Sequence, residues 1–169
     1  MNQAATASRA VRHGVFRLNL FSRIEIAASP TRIWEVLTDF KAYPHWNPAI
    51  PRAEGEAKAG STLRVRIQWP GLKSRDYQLE VLDSVPEREL RWVGHFGMKG
   101  LMDGDHRFVI QPTSQGATVA QTESFSGVLI PFFAPWLMDN VLRGFDQVNE
   151  ALKSRAEESA DEPSGMNQR

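Results

Sequence analysis

His106 and Glu123 are the two side chains whose types and spacing allow proton chemistry. They lie on neighbouring stretches of strict alternation, His106-Phe108-Ile110 and Val119-Gln121-Glu123-Phe125, separated by Thr113 to Gly116. With that stretch as the loop, Pro112 lies opposite Ala117 and Ile110 opposite Val119. Counting on, Phe108 faces Gln121 and His106 faces Glu123. Directly opposed side chains in an antiparallel pair have Cβ atoms ~5 Å apart, within hydrogen-bond reach for imidazole and carboxylate. The neighbouring carboxylate favours the charged ring, whereas burial opposes it. Such a pair can polarise a carbonyl or move a proton in an aldol-type cyclisation. The same pair can instead hydrogen-bond a ligand, or simply satisfy its own polarity inside a sheet.

Two further polar residues share those inward faces. Arg75 could clamp a carboxylate or phenolate through two parallel hydrogen bonds, or it could end its strand in solvent. Gln121 could orient a ligand hydroxyl, or bond to neighbouring backbone. The expected apolar lining is Trp46, Val65, Ile67, Trp69, Tyr77, Trp92, Phe108, Phe125, Trp136, Val141 and Phe145, while Trp34 packs the first helix onto the fold. No metal or cofactor is expected. The four histidines are scattered without ligand spacing, there is no cysteine, and no GxSxG, P-loop or GxGxxG pattern occurs.

The elements that would carry these residues follow from periodicity. Leu18, Leu20, Ile24 and Ile26 alternate as one strand, with a bulge expected near Ser22. Ser29-Pro30 opens a short helix, since serine caps free amides and proline suits the first turn. A second helical turn covers Phe40 to Trp46 and stops at Asn47-Pro48. A weak edge strand follows between Ile50 and Glu56. Beyond Gly60 the period is two, with Ile67 set opposite Arg75 and Val65 opposite Tyr77. The glycine-rich run Gly97 to Gly104 reads as a loose hairpin, a candidate lip for a pocket. Leu137, Val141, Phe145, Val148 and Leu152 form the apolar stripe of a long last helix, from about Pro131 to Glu158, that begins irregularly at its prolines. Residues 1–14 read as a flexible arm, 15–158 as one domain and 159–169 as a disordered tail.

Particular words in this layout resemble a known group. IEIAASPTRIWEVLTDFKAYPHWNP (Ile24 to Pro48), TESFSGVL (Thr122 to Leu129) and GFDQVNEALKSRAE (Gly144 to Glu157) are similar to the polyketide cyclase/dehydrase and lipid-transport branch of the START-like (SRPBCC) superfamily. The resemblance covers about Phe21 to Glu158. It implies an α+β helix-grip fold, in which a curved antiparallel sheet of about seven strands wraps a long C-terminal helix. Two short helices follow the first strand. It also implies a cavity between sheet and helix for a hydrophobic or amphipathic small molecule.

Composition narrows the partners. Lys+Arg and Asp+Glu both number 20, so the chain as a whole has no electrostatic pull toward nucleic acid. No stretch approaches the ~20 apolar residues that span a bilayer, and no signal sequence is evident, so a cytoplasmic location is expected. Three functions remain. The first is binding of a lipid, polyketide or aromatic compound. The second is a cyclase or dehydratase using His106 and Glu123. The third is a co-chaperone-like interaction module, which would show an exposed apolar patch instead of a cavity.

Overall fold

The computed structural model describes residues 7–68 and 72–158. Eight strands form one antiparallel sheet in the order β1-β2-β8-β7-β6-β5-β4-β3. Strand β1 is Ala7–Arg12 and β2 is Arg17–Ile26. Helix α1 (Pro30–Thr38), a 3₁₀ turn (Phe40–Ala42) and α2 (Tyr43–Trp46) then carry the chain to the opposite edge. From there β3 (Arg52–Glu54), β4 (Thr62–Ile67), β5 (Arg75–Val85), β6 (Glu89–His95), β7 (Asp103–Thr113) and β8 (Gly116–Ser126) meander back to β2, and α3 (Ile130–Glu157) closes the chain. A register shift between Val81 and Asp83 in β5 bends the sheet.

Local chemistry accounts for these boundaries. Ser29 caps α1 by accepting from the Arg32 N–H at 3.1 Å, with Pro30 in the first turn. Asn47 ends α2, and its Oδ1 accepts from the N–H groups of Ala49 and Ile50 at 3.0 and 2.9 Å. In β2 every second residue from Leu18 to Ile26 is buried, Ser22 included. The expected bulge at Ser22 is absent, because Ser22 holds an inward position and its hydroxyl is hydrogen-bonded there.

Two further expectations are corrected. Ala7–Arg12 is not an arm; it pairs with β2 from Ala7↔Arg23 to Arg12↔Leu18, which gives eight strands where about seven were expected. No apolar alternation marks β1, since only Ala10 is half-buried; backbone pairing and the Arg9 guanidinium, 5.2 Å above the Phe21 ring, hold it. Helix α3 is continuous from Ile130 with Pro135 inside it, and its opening turn includes the short-range bond from Phe132 N–H to Leu129 O at 3.1 Å. Residues 1–6, the tail 159–169 and Trp69 lie outside the described residues.

The core divides into two apolar clusters. One gathers Ile24, Ile26, Leu37, Val119 and Leu152 beneath α1 and the far end of α3. The other gathers Leu18, Leu20, Phe125, Leu137, Val141 and Phe145 beneath the start of α3.

Candidate functional site

Between the two clusters lies a seam of buried polar side chains. Ser22 separates Leu20 from Ile24 on β2, Gln121 and Glu123 separate Val119 from Phe125 on β8, and Asn149 separates Phe145 from Leu152 on α3. Each element is apolar on both sides of the seam and polar at it. Buried polar groups need partners, and here they find one another. Gln121 Nε2 donates to Asn149 Oδ1 at 2.5 Å, and Asn149 Nδ2 donates to Ser22 Oγ at 2.9 Å. Ser22 Oγ donates to Asp146 at 2.8 Å, and Ser8 Oγ also donates to that carboxylate.

His106 and Glu123 complete the seam. The register is the one that alternation predicts, with His106↔Glu123, Phe108↔Gln121 and Ile110↔Val119. The turn is tighter than read, because Thr113 and Gly116 also pair, but this adds no offset. His106 Nδ1 lies 2.7 Å from Glu123 Oε2, and both side chains are about nine-tenths buried. A carboxylate only accepts, so with Glu123 ionised the hydrogen of this bond is the one on Nδ1. The ring stacks on Trp92 at 5.2 Å and 10°, and Phe108 and Phe145 close around it at 4.7 and 5.2 Å. Nε2 is screened from solvent and has no hydrogen-bond partner among the described residues.

Of two glycines beside this pair, Gly104 makes room for Glu123 and Gly94 for Leu79. Gly94 and Gly104 face each other across β6 and β7 at inward positions. A Cβ at Gly104 would lie 2.5 Å from Glu123 Oε1, and one at Gly94 would lie 2.5 Å from Leu79 Cδ2. Gly104 therefore belongs to a strand, not to a loose connection. The hairpin before it is tied down as well: Phe96 N–H donates to Met102 O at 2.9 Å, and Asp103 accepts from the Gly100 N–H at 2.9 Å.

A cavity of about 100 Å³ opens between the sheet and α3. It is lined by His106, Glu123 and Gln121 and by Ile67, Tyr77, Trp92, Phe108, Phe125, Val141 and Phe145. The interior is thus neither solid nor a wide hollow, and it falls short of the ~300 Å³ typical of drug-sized ligand pockets. Other expected lining residues lie elsewhere. Val65 is 3% exposed and sits in the first core cluster. Trp46 packs edge-on against Tyr43 at 4.9 Å, beside a separate surface cleft near Arg32. Trp136 packs against the second cluster, because its turn of α3 lies above Leu18 and Leu20. Arg75 opens β5 and is exposed to solvent.

Sequence reasoning missed Tyr43, Asn47, Ile50, Leu79, Phe96, Asn140 and Val148, which also line the cavity. The first three come from α2 and the segment after it, which no periodicity directs inward. The Tyr43 hydroxyl donates to Leu37 O at 2.8 Å, and burial pushes the phenol far above its ordinary value. On the outer sheet face the polar groups pair off: Arg91 binds Asp105 and Asp83 at 2.7 and 3.1 Å, and Arg107 binds Glu89 at 2.7 Å. Among the described residues no three His, Asp or Glu side chains gather as a metal-ligand set. No described helix is long and apolar enough to cross a membrane.

A sheet gripping one long helix, with a polar-seamed cavity between them, defines a helix-grip protein. The family described as polyketide cyclase / dehydrase and lipid transport matches residues 18–157, and the chain belongs to that family. Solved structures share the fold at low identity. Protein MLL2253 from Mesorhizobium loti is 16% identical, with 85% of this chain and 99% of that one covered at a TM-score of 0.68. Protein Ms6760 from Mycobacterium smegmatis is 12% identical, with 94% and 100% covered at 0.68. The di-domain ARO/CYC protein StfQ of the steffimycin biosynthetic pathway is 13% identical at 0.71; 86% of this chain is covered, but only 52% of StfQ. Comparison with curated proteins finds no match.

Proposed function

We propose that the chain binds a small amphipathic molecule in the cavity between the sheet and α3. An apolar ring or chain end would lie against Trp92, Phe108 and Phe145, and an oxygen would meet His106. The observation that carries this reading is the buried, unpartnered Nε2 of His106 beside a cavity whose walls are otherwise largely apolar. An unsatisfied buried nitrogen is costly, and a ligand that fills the cavity can satisfy it. With Nδ1–H given to Glu123, Nε2 offers a lone pair to a ligand hydroxyl. When the ring is doubly protonated, Nε2 offers N–H to a carbonyl. The cavity, about 100 Å³, is smaller than the apolar cavity of about 150 Å³ that holds benzene, so it takes a chain end as it stands and a single ring only if its walls give slightly.

Phenol and toluene form a matched pair of probes for this reading. Phenol should bind the native chain more tightly than toluene by calorimetry or ligand-observed NMR. His106→Gln should weaken phenol roughly tenfold, the worth of one buried hydrogen bond, and leave toluene unchanged. Equal binding of both probes to both proteins rules out hydroxyl recognition. Failure of both probes to bind rules out the cavity as a ligand site.

A second reading, catalysis of aldol-type cyclisation, is favoured by the His106–Glu123 geometry and the family. Nε2 would take a proton from a carbon between two carbonyls, with the imidazolium held by Glu123. The carbon's electron pair would attack a second carbonyl carbon, and the imidazolium would return the proton to the new alkoxide. This reading requires that His106→Gln abolish turnover of a supplied poly-β-ketone while binding falls only about tenfold.

A further inference from the structure

One end of the molecule exposes an apolar surface that the cavity does not use. Six large apolar side chains face solvent there: Phe132 (79%), Met98 (71%), Val15 (58%), Phe16 (55%), Val128 (55%) and Phe133 (44%). They come from three distant stretches, yet backbone hydrogen bonds bind those stretches together. Gly127 N–H donates to Phe16 O at 3.1 Å, Val128 N–H to Gly100 O at 3.1 Å and Leu129 N–H to Leu101 O at 3.0 Å. Several large exposed apolar side chains gathered at one end mark an interaction site.

Charge identifies the partner. Residues 12–17, 96–102 and 126–138 contain Arg12, His13, Arg17 and Lys99 and no carboxylate, in a chain whose net charge is zero; the nearest acid along α3 is the exposed Asp139, two turns beyond Phe132. All four basic residues are exposed. The acids that flank the hairpin are engaged: Asp103 holds His95 Nδ1 at 2.7 Å and the Gly100 N–H, and Asp105 holds Arg91 at 2.7 Å. An exposed aromatic tip with a basic rim fits the interface of an anionic bilayer. A second copy docked through the same face would bring like charges together.

We infer that this end of the protein docks on the surface of anionic phospholipid bilayers, with Phe132 and Met98 entering the interface and Arg17 and Lys99 meeting headgroup phosphates. Phe96 joins this surface to the cavity, because it stands at the base of the docking hairpin and lines the cavity wall. The docking inference rests on the patch alone and stands whether or not the cavity takes a ligand.

Co-sedimentation of the full chain with vesicles tests it. Vesicles of phosphatidylcholine containing phosphatidylglycerol should capture the protein, and pure phosphatidylcholine or high salt should weaken capture. Lys99→Glu and Arg17→Glu should each cost at least about fivefold in affinity, and Phe132→Glu with Met98→Glu should abolish capture. Arg64→Glu changes net charge equally on β4, away from the patch, and should have no effect. Thermal unfolding confirms that each variant is folded, which the high exposure of these side chains favours. Equal capture by neutral and anionic vesicles, or an equal effect of Arg64→Glu, overturns the inference. So does a dimer in sedimentation velocity that Phe132→Glu disrupts while vesicles capture nothing.

Discussion

A methyl group at Gly104 would sit 2.5 Å from Glu123 Oε1, so this position decides where the carboxylate can lie. Gly104→Ala should push Glu123 away from His106 without straining the backbone. The expected outcome is loss of the slowly exchanging Nδ1–H signal of His106 by NMR, with a stability cost of about 1 kcal/mol. Persistence of that signal would mean that the carboxylate has another position that keeps the bond. His106 and Glu123 were legible from the sequence because strand alternation is strict and register follows from counting. Gly104 was not, because a glycine near two other glycines reads as turn material. Arg75 shares an inward parity yet reaches solvent, since parity at a strand's first residue does not guarantee cover.

Helix α3 and strand β2 meet through Asn149 and Ser22, whose side chains join at 2.9 Å. Asn149→Ala removes the donor to Ser22 and the acceptor for Gln121, leaving buried polar atoms unpaired. A loss of about 1–3 kcal/mol in urea unfolding is expected. At the far end of α3, Glu157 accepts from the Ala27 N–H at 2.7 Å and from Lys153 at 2.6 Å. Burial raises its pKa, but the bond to Lys153 and then the Ala27 N–H outweigh this and hold the carboxyl below its ordinary value. A lowered folded pKa means that the stabilisation is complete above the unfolded pKa of ~4.3 and is lost as pH falls through the folded value. The stability gap between the native chain and Glu157→Gln should therefore be present at neutral pH and close in acid, as followed by thermal unfolding. These contacts span elements far apart in the chain, so periodicity identified α3's apolar stripe but not its polar partners.

The whole molecule places its polar seam where two apolar clusters meet, and the cavity opens beside it. Phe145 belongs to the second cluster, lines the cavity and stands edge-on to His106. Phe145→Ala should enlarge the cavity at a cost of about 3–5 kcal/mol. It should also let 1-naphthol bind more tightly relative to phenol, as read by calorimetry. An unchanged preference would show that the space collapses instead of opening.

Alternation and turn chemistry are local, and they alone determined the capped first helix, the registers of the hairpins and the opposition of His106 to Glu123, whereas the pairing of β2 with β8 joins the two ends of the chain. Tertiary structure decided what depends on sums over distant residues. It left about 100 Å³ of space in the middle, because large side chains from both sides nearly meet there. It recruited Ala7–Arg12 as an edge strand with almost no apolar signal, since backbone pairing asks little of side chains. It also left Phe132 uncovered, because a residue's exposure depends on which other elements reach it and not on its own chemistry.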